Sequence, residues 1–496
     1  MEESIVDAQA QLQEKYELVI GLEVHAQLST VTKLFCADSA SFGGEPNTHI
    51  SPITLAYPGT LPRLNKEAMV AAVKMGLACG SRITETNWFA RKHYFYPDLP
   101  KGYQTSQHIN NICQGGTVRI QVNGQERNVQ LHHIHLEEDA GKSIHDAHEL
   151  KTAIDHNRAG VPLIEIVSEP DMFSAEEAYT YVTEVRKLVR FLGICDGNME
   201  EGSMRCDANI SIRPRGQKEL GTKVEVKNLN SIRHVKKAIE LEAQRMMEMA
   251  ERGEPIIQQT RSFDADRMIT FALRTKEEAN DYRYFPDPDL PPFKVTQDQL
   301  AFIRSSMPVL PDELQQQYIT EYQLPAYDAR LISDEKELVQ FFEATIAFTK
   351  QYKAVANWLL GPVKAWVNES GRLFDEFPLT PAQLARLTEL VQSGKISFSS
   401  ASSRLFPRLL EQPEKDPEEL AASLQLLQDA GADQIEQWVM DVLTKMPDKV
   451  AEYKKGKKGL IGLFMGEVKK ISKGKADPEN HHRFIRAKIK SINNCV

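Results

Sequence analysis

The sequence predicts an α+β protein in which a strand-rich part covers residues 16 to about 292 and a helical part follows. Before residue 292, stretches of alternating apolar and polar residues are separated by turn signals such as Tyr57-Pro58-Gly59 and Val122-Asn123-Gly124. The proline-dense segment 282–292 excludes a helix or a central strand, so it predicts the boundary between the two parts.

Helical segments are predicted from capping residues and from apolar residues at helical spacing. Within the strand-rich part they cover residues 65–78, a helix from the N-cap Ser174 to about 191, and residues 231–252. After the boundary, Thr380-Pro381-Ala382-Gln383 combines an N-cap, a proline at the first helical position and a capping box. The chain after residue 292 is therefore expected to be helical.

Composition indicates a globular protein of a reducing compartment. The 496 residues suffice for roughly two to four domains, and 41% hydrophobic and 26% charged residues are ordinary for a soluble protein. The six cysteines form no CxxC pair, which favours a reducing compartment. The polar, acidic start argues against a signal peptide, and no apolar run approaches the ~20 residues of a membrane span. These features predict a cytoplasmic protein without a membrane anchor.

Charge is distributed unevenly along the chain. Residues 445–490 contain 14 Lys and Arg against 5 Asp and Glu, a net charge of +9; with a total of −9, the remainder carries −18. A basic module on an acidic body predicts a polyanionic partner bound at one end, and a solvated basic helix face is the alternative. Four lysines interleaved with glycines are the candidates for this contact: Lys454, Lys455, Lys457 and Lys458.

A carboxylate and an imidazole lie together on the first predicted strand. In residues 19–25 the side chains alternate between two faces, so Glu23 and His25 point the same way while Leu22 and Val24 point into a core. Such a pair on a rigid strand makes half of a divalent-metal site. The alternative is an edge strand with two solvated polar residues.

Further acids interrupt strands that otherwise look buried. One row of three carboxylates includes Glu138, and single acids stand at Glu165 and Asp207. An unpaired buried carboxylate is costly, so each needs a cation or hydrogen-bond donors. Convergence of these strands on one ion would satisfy all of them. Arg205 shares the face of Asp207 and could instead be its partner in a plain ion pair.

Two other groupings leave their alternatives open. Among three neighbouring histidines, His133 and His135 share a strand face, so at most two could bind one ion, and packed or solvated histidines are the simpler account. Lys92 and Tyr94 share a face of another predicted strand. A cation beside a phenol could handle an anion or ammonia, or could belong to an amphipathic edge strand.

Several long motifs in order resemble one family, the B subunits (GatB) of bacterial-type tRNA-dependent amidotransferases. The resemblance covers nearly everything from Tyr16 onward, including residues 453–478. The segments that carry it are VIGLEVHAQL (19–28), RKHYFYPDLPKGYQ (91–104), HLEEDAGKS (135–143), PLIEIVSEPD (162–171), MEEGSMRCDANIS (199–211), KVEVKNLNS (223–231) and DYRYFPDPDLPP (281–292).

The resemblance implies a domain organisation. It predicts a loose extension over residues 1–15 and a cradle-like domain around an antiparallel sheet over 16–292. A helical domain over 293–405 and a small helical tail of the YqeY type over 406–496, which binds tRNA, would follow.

The resemblance also implies an activity. The cradle would bind ATP and Mg²⁺, with Mn²⁺ also tolerated, and would phosphorylate the side chain of Glu or Asp mischarged on tRNA. Ammonia from an amidase (A) subunit would then displace the phosphate, with a small C subunit joining the two. The implied metal ligands are Glu23, His25, Glu138, Glu165 and Asp207.

Individual roles follow from the same resemblance. Glu138, Lys92 and Tyr94 are expected to act in catalysis, the last two where ammonia arrives. Some family members carry a four-cysteine zinc site, but here only Cys36 remains, so no structural zinc is expected. The rival interpretations are a non-catalytic RNA-binding subunit and a stand-alone metal-dependent phosphotransferase. The tRNA preference is left open.

Overall fold

The computed structural model of the chain describes residues 12–148, 151–275, 282–427, 432–472 and 478–491. The chain divides into two compact units between Leu310 and Pro311. Strands dominate the first unit and helices the second, which confirms the predicted α+β class. The finer domain boundaries at residues 15, 292 and 405 stay predictions.

The first unit is built on one large sheet. Its strands, with those of two small accessory sheets, are β1 (Tyr16–Gln27), β2 (Arg82–Ile83), β3 (Thr86–Asn87), β4 (Ala90–His93), β5 (Tyr103–Ser106), β6 (Cys113–Gln114), β7 (Thr117–Val122), β8 (Gln125–Glu138), β9 (Lys142–His148), β10 (Lys151–Asp155), β11 (Pro162–Ser168), β12 (Met204–Pro214), β13 (Val224–Leu229), β14 (Gln259–Asp264), β15 (Ile269–Thr275), β16 (Phe285–Pro286) and β17 (Phe293–Lys294).

Among the described residues the large sheet has 13 strands, and its main path runs β15-β14-β13-β12-β1-β11-β8-β5-β4-β16. Its pairs are antiparallel except β13 with β14, which are parallel. The proline-dense segment contributes only the two-residue strand β16 at one end of this path, as expected for residues that cannot complete a ladder of hydrogen bonds. The long strand β1 lies at the centre, between β12 and β11.

Helices of the first unit pack on one face of this sheet, except the last of them, which packs on the first helix. They are α1 (Lys66–Ala78), α2 (Ala175–Phe191), α3 (Ile232–Glu251) and α4 (Gln297–Ser305). The predicted N-cap Ser174 is confirmed, since its side chain accepts a hydrogen bond from the first turn, and Asn65 and Ser231 cap the other two helices in the same way. The helices and the sheet share one apolar core, which includes Val24 of β1 and Ile164 of β11. Packing on this face fixes the strands relative to one another.

The second unit is helical, with single π or 3₁₀ turns between some helices. Its helices are α5 (Pro311–Thr320), α6 (Ala326–Ser333), α7 (Lys336–Ile346), α8 (Tyr352–Trp358), α9 (Lys364–Ser370), α10 (Pro381–Gln392), α11 (Phe398–Ser400), α12 (Phe406–Glu411), α13 (Pro417–Ser423), α14 (Ala432–Lys445), α15 (Pro447–Lys454), α16 (Ile461–Ile471) and α17 (Pro478–Ser491).

Two features of the second unit bear on the predictions. The capping box predicted at Thr380 and Gln383 is confirmed. The last four helices enclose a small apolar core of their own, in which Val439, Phe464 and Ile485 are fully buried. Across the described ranges of both units, no helix combines the length and apolar character needed to cross a bilayer.

Candidate active site on the polar face of the sheet

The face of the sheet opposite α1–α3 carries charged side chains where the helix-covered face carries apolar ones. We call it the polar face and define it by the outward side chains of β13, β12, β1, β11 and β8. Strand register places His25 directly opposite Glu165 on one side and Arg205 on the other, and Glu165 in turn opposite His135. Side chains that face each other across strands point the same way, so this row is a line of neighbours.

A first cluster joins His25, Glu137 and Glu165. The Nε2 atom of His25 lies 3.5 Å from Oε2 of Glu165 and 3.9 Å from Oε1 of Glu137. His135 approaches the same two carboxylates, with its Nε2 atom 3.3 Å from Glu137 and 3.4 Å from Glu165. Each imidazole therefore lies between two carboxylates.

Opposite charges offset the cost of burial in this cluster. Burial would lower the pKa of His25, but the neighbouring carboxylates, led by Glu165, together outweigh it and raise the pKa to about 9. Burial would raise the pKa of Glu165, whereas the neighbouring His25 and His135 hold it well below its usual range. For Glu23, burial and then the charge of Glu165 both raise the pKa. The cluster is a compensated charge network.

A second cluster joins Glu23, Asp207 and Glu225, which offer one ligand oxygen each within 4.8 Å of one another. Lys227 bonds to two of these acids, with Nζ 2.7 Å from Oδ2 of Asp207 and 3.0 Å from Oε1 of Glu225. Although burial opposes protonation, these two carboxylates raise the pKa of Lys227. Asn209 donates to Glu23 at 2.8 Å. The predicted ligands Glu23 and Asp207 are therefore brought together, in a group next to that of His25 and Glu165.

Glu138 is the one predicted metal ligand that lies outside both clusters. Its carboxylate accepts a hydrogen bond from the backbone N–H of Thr105 at 2.8 Å and pairs with Lys101. Side chains alternate along β8, so Glu137 shares the face of His133 and His135, while Glu138 points the other way. The sequence-based prediction selected Glu138, whereas the acid that joins the cluster is its neighbour Glu137.

Arg205 does not pair with Asp207, the alternative considered from the sequence. It donates to Asp139 at 2.9 Å, and Asp139 also accepts from Gln27 at 2.6 Å. Burial would raise the pKa of Asp139, but Arg205 and Arg158 hold it below its usual value. The partner of Asp207 is instead Lys227 of the adjacent strand β13.

Lys92 and Tyr94 lie at the end of β4 among aromatic rings. The Nζ atom of Lys92 lies 5.0 Å from the ring centroid of Tyr282 and 6.0 Å from that of Tyr94. Burial would lower the pKa of Lys92, but negative charge led by Glu137 raises it, so the side chain stays cationic. The hydroxyl of Tyr94 donates to Gln104 at 3.3 Å. A cation bordered by aromatic rings thus lies near the carboxylates of the first cluster.

The four candidate tRNA-contact lysines lie in the second unit. All four are exposed and occupy the end of α15 and the turn after it. Gly456 has a φ of +110° in this turn, a conformation that favours glycine. Lys457 pairs with Glu452 at 3.1 Å. Their role in tRNA binding stays a prediction.

The side chains close to Cys36 that the structure describes include oxygen groups. Thr54 hydrogen-bonds to Asp38 and lies 3.7 Å from the Cys36 sulfur. Asp38 is buried, with the Nζ atom of Lys33 4.0 Å away. The expected lack of a structural zinc stays a prediction.

The sequence analysis left the role of His135 open and did not identify three further residues of the polar face. Two features of the sequence could have indicated these three residues. Glu137 continues the two-residue period of His133 and His135 by one step. In residues 223–227, charged residues alternate with valines in the pattern of a half-buried strand. The missed residues are Glu137, Glu225 and Lys227.

The first cluster suits a hard divalent cation. The imidazole nitrogen of His25 and one oxygen each from Glu137 and Glu165 lie within 4.8 Å of one another. Atoms this close can surround an ion at the ~2.0–2.6 Å typical of Mg²⁺, Mn²⁺ or Ca²⁺. Two carboxylates with one imidazole fit Mg²⁺ or Mn²⁺ better than a soft metal.

Two family models match the chain in order. The GatB/GatE catalytic domain model matches residues 18–301, which include both clusters. The GatB domain model matches residues 340–489, which include the exposed lysines.

Relatives similar over nearly the whole chain share one name, that of the B subunit of an aspartyl/glutamyl-tRNA(Asn/Gln) amidotransferase. The Thermodesulfovibrio yellowstonii protein is 46% identical over 94% of this chain and 97% of its own length. The Thermoanaerobacter pseudethanolicus protein is 45% identical over 96% and 99% of the two chains, and the Cupriavidus pinatubonensis protein is 45% identical over 96% and 100%. With the catalytic-domain model spanning more than half of its residues, the chain belongs to the GatB family of amidotransferase B subunits.

Proposed function

We propose that the chain acts as the B subunit of an ATP-dependent amidotransferase that converts mischarged Glu-tRNA(Gln), Asp-tRNA(Asn) or both to the amidated forms. The observation that carries the proposal is the convergence of His25, Glu137 and Glu165 on the polar face, within the residues that match the catalytic-domain model. The donor atoms of these three residues are close enough to hold one divalent cation, and phosphoryl transfer requires such a cation.

The reaction has two steps. An oxygen of the Glu or Asp side chain bonds to the γ-phosphorus of ATP, and the bond from that phosphorus to the bridging oxygen breaks, so ADP leaves with the electron pair. Ammonia then attacks the acyl carbon, the carbon–oxygen bond to phosphate breaks, and a proton is lost from the nitrogen. The first step is needed because a carboxylate oxygen is a poor leaving group and phosphate is a good one.

Each cluster residue has a defined part in this proposal. His25, Glu137 and Glu165 would hold Mg²⁺ or Mn²⁺, which when bound neutralises charge on the phosphate oxygens. His135 orients Glu137 and Glu165 through contacts of 3.3 and 3.4 Å. The sequence prediction for Glu138 as a ligand is kept as the competing assignment, and paired substitutions of Glu137 and Glu138 separate the two.

The name that the relatives carry, that of a B subunit, supports a complex with further subunits. We propose an A subunit that releases ammonia from glutamine and a small C subunit that joins the two, in a cytoplasmic heterotrimer. Lys92 and Tyr94 are proposed to stand where ammonia enters, which the cationic, aromatic surroundings of Lys92 support. The exposed lysines from Lys454 to Lys458 are proposed to contact the tRNA backbone.

Amidation by the reconstituted heterotrimer tests the proposal. Glu-tRNA(Gln) and Asp-tRNA(Asn) are supplied separately with ATP, Mg²⁺ and glutamine, and the aminoacyl group is identified after hydrolysis from the tRNA. Formation of Gln-tRNA(Gln) or Asn-tRNA(Asn) with matching ADP release supports the proposal. ATP cleavage that ignores mischarged tRNA would favour a stand-alone phosphotransferase, and tRNA binding without any ATP cleavage would favour a non-catalytic RNA-binding subunit.

A further inference from the structure

Lys227 lies among three carboxylates beside the proposed metal site. Its Nζ atom is bonded to Asp207 and Glu225, and its side chain is 36% exposed. These two acids form one group with Glu23, and the ligand oxygens of the three residues lie within 4.8 Å of one another. Acid groups of this size are typical of divalent-cation sites, but here a side-chain ammonium already supplies the positive charge.

The two acid clusters are close neighbours on a rigid support. Glu23 belongs to the second cluster and His25 to the first, and these residues are two positions apart on β1, about 7 Å along the strand. Asp207 lies directly opposite Glu23 on β12. The polar face therefore holds a fixed ammonium next to a donor set that fits a divalent ion.

Lys227 also has hydrogen-bonding capacity to offer a substrate. An ammonium group carries three N–H donors. Within the described part of the chain, the bonds of Nζ run to Asp207 and Glu225. Each acid is itself held in place, Glu225 by the hydroxyl of Thr260 at 2.9 Å and Asp207 by its strand pairing. The ammonium is thus fixed in position while part of its side chain faces solvent.

We infer that Lys227 is the second cation of the phosphoryl-transfer site, contacting the phosphate oxygens of ATP beside the divalent ion. The inference rests on the proposed function. As the side-chain carboxylate bonds to the γ-phosphorus and ADP departs with the electron pair, negative charge grows on the oxygens around the breaking bond. Many phosphoryl-transfer sites neutralise such charge with two cations, and a lysine can act as one of them.

A purely structural ion pair is the competing explanation for Lys227. It predicts a loss of folding stability when the lysine is replaced, with little change in turnover of the folded enzyme. A second cation predicts a loss of kcat at unchanged tRNA affinity. It also predicts that removing the ammonium leaves an acid triad able to bind a divalent ion itself.

The test uses the assembled heterotrimer with Lys227→Met, Lys227→Arg and the control Lys223→Met, an exposed lysine just before β13. Turnover is ATP cleavage dependent on mischarged tRNA. We expect kcat to fall by about 100- to 1000-fold in Lys227→Met, with partial recovery in Lys227→Arg and no loss in Lys223→Met. The dissociation constant for tRNA should not change.

Metal stoichiometry gives a readout apart from activity. Mn²⁺ titration followed by electron paramagnetic resonance should find one tightly bound ion in wild type, Lys227→Arg and Lys223→Met, and two in Lys227→Met. A single ion in a folded Lys227→Met protein, or a kcat within about threefold of wild type, would overturn the inference. If Lys227→Met does not fold, an unchanged kcat in Lys227→Arg overturns it and a reduced kcat supports it. Failure of the wild-type heterotrimer to cleave ATP would instead reject the proposed function.

Discussion

The two faces of the large sheet use the same strands for opposite purposes. On β1, Leu22 and Val24 are buried against the helices. Glu23 and His25 each follow one of these residues in the sequence and point to the polar face. The apolar face gains free energy from burial and holds the strands in place. On the polar face, part of that gain is offset by the desolvation of charged groups held at fixed spacing. The comparison teaches that a residue's role here depends on its face, so adjacent residues can differ completely.

The sharpest form of this comparison is the pair Glu137 and Glu138. We expect Glu137→Gln to weaken Mn²⁺ binding by at least about 100-fold and to reduce tRNA-dependent ATP cleavage by about 1000-fold, because a neutral amide replaces a charged ligand. Mn²⁺ titration and ADP release in the assembled heterotrimer measure the two effects. The dissociation constant for tRNA should stay near that of the wild type.

The matched variant is Glu138→Gln, which removes the pair with Lys101 on the other side of the strand. If the role of a side chain depends on the sheet face to which it points, the Mn²⁺ affinity of this variant should stay within about threefold of wild type, since no ligand is lost. The reverse outcome, with metal binding lost in Glu138→Gln and kept in Glu137→Gln, would establish the ligand that the sequence-based prediction selected. Comparable losses in both variants would show that the end of β8 acts as one unit.

The apolar face provides the next test. Ile164 is fully buried in the core, one position before the candidate ligand Glu165. Ile164→Ala should lower the free energy of unfolding of the first unit by about 2–5 kcal/mol, through reduced burial and the cavity left behind. Mn²⁺ affinity of the folded protein should be nearly unchanged. Urea denaturation gives the first quantity and Mn²⁺ titration the second. A strong loss of metal affinity at native stability would contradict the separation of the two faces.

Substitution of Lys92 tests whether different residues of the polar face serve the two half-reactions, phosphorylation and amidation. Lys92→Ala should reduce glutamine-supported amidation at least about tenfold, or ~1.4 kcal/mol in barrier, while ATP cleavage continues. The reason is that Lys92 packs against the ring of Tyr282 and is not one of the three residues that would hold the metal. Amide formation and ADP release are measured in the same reaction. An equal loss of both would identify Lys92 as a phosphate ligand or a structural residue.

Alternation along single strands was predictable, and pairing between distant strands was not. The sequence correctly put Glu23 and His25 on one face, because the period of two is local. It could not show that Asp207 meets Lys227 or that Arg205 meets Asp139, because those contacts depend on strand order and register. The caps of α1–α3 were likewise predictable, since capping involves only neighbours in sequence.

The polar face and the basic tail offer a last contrast, between charges that are buried and paired and charges that are exposed. The lysines from Lys454 to Lys458 lie at the surface of the second unit. Exposed charges act on a polyanion mainly by releasing its counterions, so their effect should depend on salt. Neutralising all four should weaken tRNA binding and lower the log–log salt slope by roughly 0.7–0.9 for each phosphate that is no longer neutralised.

ATP cleavage at saturating tRNA should survive this change, because the proposed catalytic residues precede residue 292. Filter binding across a series of KCl concentrations measures the slope, and Lys415→Gln, an exposed lysine elsewhere in the second unit, is the matched control. We expect the four substitutions to change tRNA affinity least at the highest KCl concentrations, because screening already removes the contribution of the lysines there. A salt slope identical to that of the wild type would mean that these lysines are only a solvated surface. The tRNA backbone would then have to be bound by the first unit or by the partner subunits.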